Sequence, residues 1–380
     1  MQGLRHGALS LQLPDGGALS FGSDAGNGLR AAIRLYNWKP WAEALKSGDI
    51  GFAEGFIAGD WSTPDLTALL TLFIANRDEV EAVIYGSWWG SLLYRAKHLL
   101  NRNSRRGSRK NIHAHYDLGN EFYRLWLDPT MNYSSAWFEG DRSGDLAQAQ
   151  WAKVRRALDE CGVKAGDRVL ELGCGWGALA EAAARDYGAR VTGVTLSTEQ
   201  LAWGRQRLAD AQLPGELRCQ DYRDIDDGPF DAIASIEMFE AVGREYWPSF
   251  FETLKTQLKP GGKACIQSIT IRDDLFERYV GSTDFVQQYV FPGGLLPSAT
   301  AFRAAAVRAG LRVVNELDFG LDYAETLKRW RNRFLAVDGP VRQLGFDTRF
   351  MRIWEFYLAY CEAAFATRNT SVMQFTLQRD

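Results

Sequence analysis

The chain has 380 residues, a formal net charge of −3 and 46% hydrophobic residues. That length and apolar content allow two domains with a sizeable core, the charge offers no global attraction for nucleic acid, and no apolar run reaches the roughly 18 residues of a membrane-spanning helix. Five scattered cysteines and four histidines, the last of them His115, argue against disulfides, structural zinc and histidine chemistry downstream. The 13 tryptophans suit a large apolar pocket or a membrane-facing surface. No signal-peptide core follows Met1, so the cytoplasm is the expected compartment.

In chain order, residues 9–21 alternate around Pro14-Asp-Gly-Gly17 and predict a hairpin. Helical stretches are expected at 29–46, 51–57 and 66–75, with Asp60-Trp61-Ser-Thr-Pro64 between them, as in a small α+β accessory domain. Residues 80–100 read as a helix bearing Tyr85, Trp88, Trp89 and Tyr94, followed by Arg102, Arg105, Arg106, Arg109 and Lys110. Basic residues beside tryptophan suit an anionic membrane surface; an ordinary packed helix with a solvated basic linker is the alternative. The polar run 101–110 marks the domain boundary, giving an accessory domain over 1–105 and a catalytic domain over 106–380. His113 and His115 stand two apart without a carboxylate or cysteine cluster, so no metal site is expected there.

A short helix at 121–127 and an aromatic loop at 128–138 lead into regular alternation. Helices are expected at 146–161, 178–187, 198–211 and 247–258, and strands at 168–172, 190–195, 216–219, 230–236, 263–270, 311–319 and 371–377. This pattern predicts a doubly wound, largely parallel sheet. The helical stretch 323–367 is too long for a hairpin and is expected to cover the site.

Ligands of such sheets bind at the carboxyl ends of the strands. There the sequence places Val169-Leu-Glu-Leu-Gly-Cys-Gly-Trp-Gly177, a strand running into a glycine-rich turn that lets a backbone approach a ligand closely. NAD, FAD and S-adenosylmethionine all use such a turn. The second strand ends Thr195-Leu-Ser197 without the acid that holds a dinucleotide ribose, which puts S-adenosylmethionine ahead. Gln220-Asp221-Tyr222 and Ile236-Glu237-Met-Phe-Glu240 follow the third and fourth strands. Asp221 can accept from an adenine amino group, or simply cap a turn. Glu240 faces the transferring group, or simply stabilises a helix start.

The motifs His115-Tyr-Asp-Leu-Gly-Asn120, Leu127-Asp-Pro-Thr-Met-Asn-Tyr-Ser134, the glycine turn, Gln220-Asp-Tyr-Arg-Asp224, Met238-Phe-Glu-Ala-Val-Gly243 and Tyr289-Val-Phe-Pro-Gly-Gly294 together resemble one family. It is that of the cyclopropane-fatty-acyl-phospholipid synthases and the mycolic-acid and fatty-acid C-methyltransferases, from about residue 110 onward. Gly51-x-x-Glu54 with Gly59-Asp-Trp61 resembles the accessory domain more weakly. The resemblance implies a class I S-adenosylmethionine-dependent methyltransferase fold: a Rossmann-like seven-stranded α/β sheet with helical cover insertions, plus the small α+β accessory domain. It implies that the cis double bond of an unsaturated phospholipid acyl chain attacks the cofactor's methyl group at the inner face of the membrane, where the enzyme would be peripherally associated. A homodimer through the accessory domain is compatible with it.

On the family's cofactor positions stand Tyr133, Ser134, Glu171, Gly173, Gly175, Trp176, Thr195, Ser197, Gln200, Gln220, Asp221 and Ile236. Glu240 and Tyr323 fall where the family holds a bicarbonate base, with the Ile269 carbonyl beside them. Two residues depart from the pattern: Ser135 stands for the usual cysteine and Gln267 for the usual histidine. Serine can keep a backbone contact, whereas glutamine can donate to an anion but cannot relay a proton as imidazole does. The expected product is a cyclopropane, formed when the added methyl loses a proton. The alternative is a methyl- or methylene-branched chain reached through a hydride shift. A catalytically silent lipid-binding homologue and a methyltransferase of soluble substrates are the other readings.

Overall fold

The computed structural model describes residues 4–22, 28–79 and 118–380. The expected helix at 80–100, the basic run, His113 and His115 lie outside these residues. The chain divides into two compact units, the first made of the described part of Met1–Leu100 with Arg278–Pro292 and Leu327–Asn369.

In the first unit, β1 (Ala8–Gln12) and β2 (Ala18–Gly22) form the expected hairpin. The expected helix at 29–46 is corrected. Its first part is β3 (Arg30–Leu35), which pairs in parallel with β1 and buries Ile33 and Leu35. The alanines suggest a helix, but pairing with a distant strand overrides local propensity. The helix α1 (Lys39–Ala58) carries Pro40 in its first turn, where the missing N–H is harmless, and crosses a kink at Gly48 (φ 61°). The two-residue β4 (Trp61–Ser62) and α2 (Leu66–Ala75) follow, and Asp65 caps α2 by accepting the Ala68 N–H.

The second unit carries α3 (Asn120–Trp126), α4 (Leu146–Cys161), β5 (Arg168–Leu172), α5 (Ala178–Tyr187), β6 (Arg190–Thr195), α6 (Thr198–Asp210), β7 (Glu216–Cys219), β8 (Phe230–Ile236), α7 (Trp247–Gln257), β9 (Leu258–Ile271) and β10 (Leu311–Asp318). The helix α8 (Gly320–Ala336) begins in this unit and continues into the first. The helix α9 (Thr348–Ala366) belongs to the first unit, and β11 (Thr370–Arg379) returns to the second.

The seven-stranded sheet has the order β10-β11-β9-β8-β5-β6-β7, with β11 antiparallel to both neighbours. This is the expected seven-stranded, largely parallel α/β sheet. Val169, Leu170 and Leu172 of β5 are fully buried, as a central strand covered on both faces requires. The chain leaves β5 toward β6 on one side and later returns to β8 on the other. That reversal opens a crevice at the carboxyl end of β5.

The start of the helical stretch expected to cover the site lies in the second unit. Asp322 of α8 accepts the Phe138 N–H at 2.8 Å, and Thr326 accepts the Ala136 N–H at 3.2 Å, so the first turns of α8 clasp loop 135–138. Farther along, α9 packs on α2 within the first unit, where its Trp354, Phe356, Leu358 and Ala359 are buried.

Candidate active site

The glycine turn after β5 works through its backbone. The Gly173 and Cys174 N–H groups both donate to the Val194 carbonyl, at 3.0 and 2.9 Å, which folds the turn over the end of β6. Gly173 has φ 78°, and a Cβ there would stand 2.8 Å from Cγ of Met238. Only glycine fits a left-handed conformation in that space.

A cavity opens beside this turn. From the turn and β5 it is lined by Glu171, Gly173, Gly175 and Trp176, and from the loop before α4 by Tyr133 and Ser134. The ends of β6, β7 and β8 add Thr195 with Gln200, Gln220 with Asp221, and Ile236 with Glu237. The cofactor residues expected from sequence therefore converge, with one exception. Ser197 is not among the lining residues, because its hydroxyl accepts the Gln200 N–H at 3.3 Å and caps α6. Asp221 is placed as expected, yet Arg223 already grips its carboxylate, with Nη2 2.6 Å from Oδ2.

Beneath the cavity lies a charge that sequence reading missed. Lys153 is fully buried on α4, with Nζ 2.5 Å from the Ser134 hydroxyl and 3.3 Å from Oδ1 of Asn132. Burial pushes its pKa down to about 8, while the charges of Glu237, Asp128 and Glu171 hold it up. Burial drives the Glu171 carboxyl well above the usual range, and its Oε2 has no hydrogen-bond partner among the described residues. A buried carboxyl oxygen of this kind beside a glycine turn fits a ligand that carries both an ammonium group and a cationic centre. S-adenosylmethionine is such a ligand.

The anion site differs from expectation. Ser135, Gln267 and Tyr323 do converge, but on Glu237 rather than Glu240. The Ser135 N–H and Nε2 of Gln267 both donate to Oε1 of Glu237 at 2.8 Å, and the Tyr323 hydroxyl donates to Oε2 at 2.7 Å. The Ser135 hydroxyl turns away to the Ala136 carbonyl, so serine serves here through its backbone N–H. Glu237 sits at the end of β8 with φ 51°, a left-handed conformation that a non-glycine residue keeps only when its surroundings enforce it. Three donors and the Glu237 N–H bond to the Gln267 carbonyl at 2.9 Å supply that enforcement.

Glu240 faces the other side of the same turn. Its Oε1 accepts the Ile269 N–H and, at 3.1 Å, the Ser268 hydroxyl. Ile269 thus contributes an N–H, where a carbonyl was expected. Burial, then the nearby Glu237 charge, push the Glu240 pKa up to about 8. Its Oε2 is buried without a partner among the described residues, so the proton of the neutral acid belongs on that atom. Burial also raises Glu237, but its hydrogen bonds and Lys153 oppose the rise. Three donors and the Lys153 charge favour the ionised form of Glu237, whereas Glu240, with Glu237 beside it and its second oxygen unpartnered among the described residues, favours the neutral form. The bicarbonate implied by resemblance does not fit this arrangement: Ser135, Gln267 and Tyr323 bind Glu237, while Glu240 and Ile269 bind each other.

The described residues include no helix long and apolar enough to cross a membrane. Residues 103–375 match the family model for mycolic acid cyclopropane synthetase. The chain is 40% identical to the tuberculostearic acid methyltransferase UfaA1 of Mycobacterium tuberculosis, over 92% of this chain and 84% of that protein. It is 33% identical to the cyclopropane-fatty-acyl-phospholipid synthase of Escherichia coli, over 92% and 88% of the two chains. Among solved structures it resembles the mycolic acid cyclopropane synthase CmaA1 in complex with S-adenosylhomocysteine, with a TM-score of 0.67 and 32% identity over 71% of this chain and 98% of that one.

Proposed function

The chain belongs to the mycolic acid cyclopropane synthetase family and is an S-adenosylmethionine-dependent C-methyltransferase of lipid acyl chains, and we propose that it methylates the cis double bond of an unsaturated phospholipid acyl chain with its own Glu237 carboxylate in the role of the family's bicarbonate. The observation that carries this reading is the convergence of Ser135, Gln267 and Tyr323 on Glu237.

S-adenosylmethionine, when bound, supplies an electrophilic methyl group. The glycine turn, Tyr133, Ser134 and Glu171 would hold its amino-acid end, and Gln220 and Asp221 its adenosine end. The alkene π electrons form the new C–C bond as the S–CH3 bond breaks, leaving a cation on the neighbouring alkene carbon. Glu237 faces that cation as a fixed counter-ion. The loop 135–138, pinned by Asp322 and Thr326, helps keep water from quenching the cation.

Glu237 then decides the product. Its three donors each stabilise the charged form and so weaken Glu237 as a base, against the burial that raises its pKa. Slow proton removal gives a hydride time to move from the methylated carbon to the neighbouring cation. We therefore assign a methyl- or methylene-branched product in preference to a ring. A 40% identical relative being named a methyltransferase rather than a cyclopropane synthase favours the same assignment. Ring closure is the second reading, favoured by the 33% identical synthase. Peripheral docking through the Trp88–Lys110 stretch belongs to the same proposal, and charge reversal of Arg105, Arg106 and Arg109 should weaken binding to anionic vesicles.

The test uses oleoyl phospholipid carrying deuterium on both alkene carbons. Branching moves one deuterium, so that a single carbon carries both; ring closure leaves one on each ring carbon. Ozone cleaves the olefinic branched product and spares the ring. A product with both deuteriums in place and resistant to ozone would refute the branching assignment, and no methyl transfer to lipid would refute the function.

A further inference from the structure

The side of Gln267 turned away from the site is held as firmly as the side turned toward it. Its Oε1 accepts Nε2 of Gln374 at 3.0 Å, and Oε1 of Gln374 accepts Nη1 of Arg156 at 2.5 Å. Gln267 and Gln374 are fully buried on the paired strands β9 and β11, directly opposite each other. Arg156 lies half-buried on α4, anchored by Glu160 at 3.2 Å and stacked over Trp137. The second N–H of the Gln374 amide reaches the Lys153 carbonyl at 3.2 Å.

The two ends of this chain are chemically unambiguous. A guanidinium only donates, and a carboxylate only accepts. Between them each amide has one orientation that makes every bond. Arg156 must meet the Gln374 oxygen, so the Gln374 nitrogen faces Gln267. That nitrogen must meet the Gln267 oxygen, so the Gln267 nitrogen faces Glu237. Reversing either amide would set two oxygens or two N–H groups against each other in a buried site.

We propose that Arg156 and Gln374 are positioning residues that fix the polarity of Gln267, so that Gln267 always presents a donor to Oε1 of Glu237. This rests on Glu237 being the working carboxylate. It also names the atom that takes a proton. Oε1 is committed to two donors, Ser135 and Gln267, so Oε2 receives the proton while the Tyr323 hydroxyl turns from donor to acceptor. The helix α4 thereby serves the site from outside: Gln150 donates to the Ser134 carbonyl at 2.8 Å, Lys153 to the Ser134 hydroxyl, and Arg156 sets the amides.

The test is the pH dependence of kcat in Gln374→Glu, measured on oleoyl phospholipid vesicles with saturating S-adenosylmethionine. The introduced carboxylate still pairs with Arg156 but cannot donate to Gln267. Gln267 then inverts and turns its oxygen on Glu237. The titratable groups facing Glu237 are Lys153, Glu240 and Tyr323, and the substitution alters none of them. Losing one donor to a buried charge should move the acidic limb of the profile upward by about one to two pH units, with KM for S-adenosylmethionine unchanged. Adding Gln267→His, whose imidazolium donates to both carboxylates, should bring the limb back down. Arg156→Gln frees the polarity without burying a new charge and should shift the limb the same way by less, which covers failure of the first variant to fold. If Glu237→Gln is inactive but these variants leave the limb in place, the positioning role is wrong. If Glu237→Gln retains wild-type kcat, the underlying reading of Glu237 is wrong.

Discussion

Glu237 and Glu240 stand three residues apart in one buried turn, and replacing each by glutamine should have very different consequences. Glu237 is the member whose donors and the Lys153 charge favour the ionised form, so Glu237→Gln removes the charge proposed to stand beside the developing cation. At about 4 Å and an effective dielectric constant of about 20, that charge contributes roughly 4 kcal/mol, or about a thousandfold in rate. The amide matches the shape of the carboxylate: its oxygen can accept from Ser135 and Gln267, and its nitrogen can donate to the Tyr323 oxygen. The fold and KM for S-adenosylmethionine should therefore survive while kcat falls. Glu240 is already neutral near pH 7, so Glu240→Gln should cost less than about tenfold. The assay is single-turnover transfer of a labelled methyl group to oleoyl phospholipid vesicles, with circular dichroism as the control on folding. A Glu237→Gln enzyme within a few-fold of wild type, or a Glu240→Gln enzyme as damaged as Glu237→Gln, would refute the division of roles.

Three further outcomes follow from the same geometry. Glu240 titrates near 8 when folded and near 4.5 when unfolded, so the native state holds a proton the unfolded state has lost; stability should fall by up to about 4 to 5 kcal/mol between those pH values, and denaturant titrations should find that slope removed in Glu240→Gln. Lys153→Met leaves Ser134 without its donor and buried acids without their counter-charge, and should lower stability by about 3 kcal/mol while raising KM for S-adenosylmethionine; an unchanged melting temperature and KM would contradict this. Gly177→Ala places a Cβ 3.1 Å from Cα of Gly204 at a φ of 82°, and should weaken both cofactor binding and folding, whereas Gly162→Ala, which also has positive φ but open space, should affect only folding.

Much of the catalytic unit was legible in the sequence because its strands are short apolar runs between glycines, prolines and polar turns. The strands β6, β7 and β8 fall on the residues expected from that pattern. β3 was not legible, since Arg30–Leu35 is alanine-rich and becomes a strand only by pairing with β1. The cofactor residues could be read from their places at strand ends, apart from Ser197, whose use as a helix cap is a local alternative for any serine there. The anion site was half legible. Its donors Ser135, Gln267 and Tyr323 were found, but the carboxylate was assigned to Glu240. The available signal was an acid directly after the buried run of β8; the left-handed backbone that turns Glu237 inward is not encoded by residue type. Lys153, Arg156 and Gln374 look like ordinary surface-compatible residues of a helix and a strand, and only packing buries them around the site.

In the proposed reaction Glu237 supplies the anion in place of the bicarbonate that the family resemblance implies. The direct measurement is methyl transfer by the wild type and by Glu237→Gly in bicarbonate-free buffer, then with added bicarbonate or formate. Glycine suits the backbone at φ 51° and leaves Ser135, Gln267 and Tyr323 around a space the size of a carboxylate. The wild type should work fully without bicarbonate, and the variant should be inactive until a small carboxylate or bicarbonate restores it. A wild type that requires bicarbonate, or a glycine variant that works without any added anion, would contradict the claim.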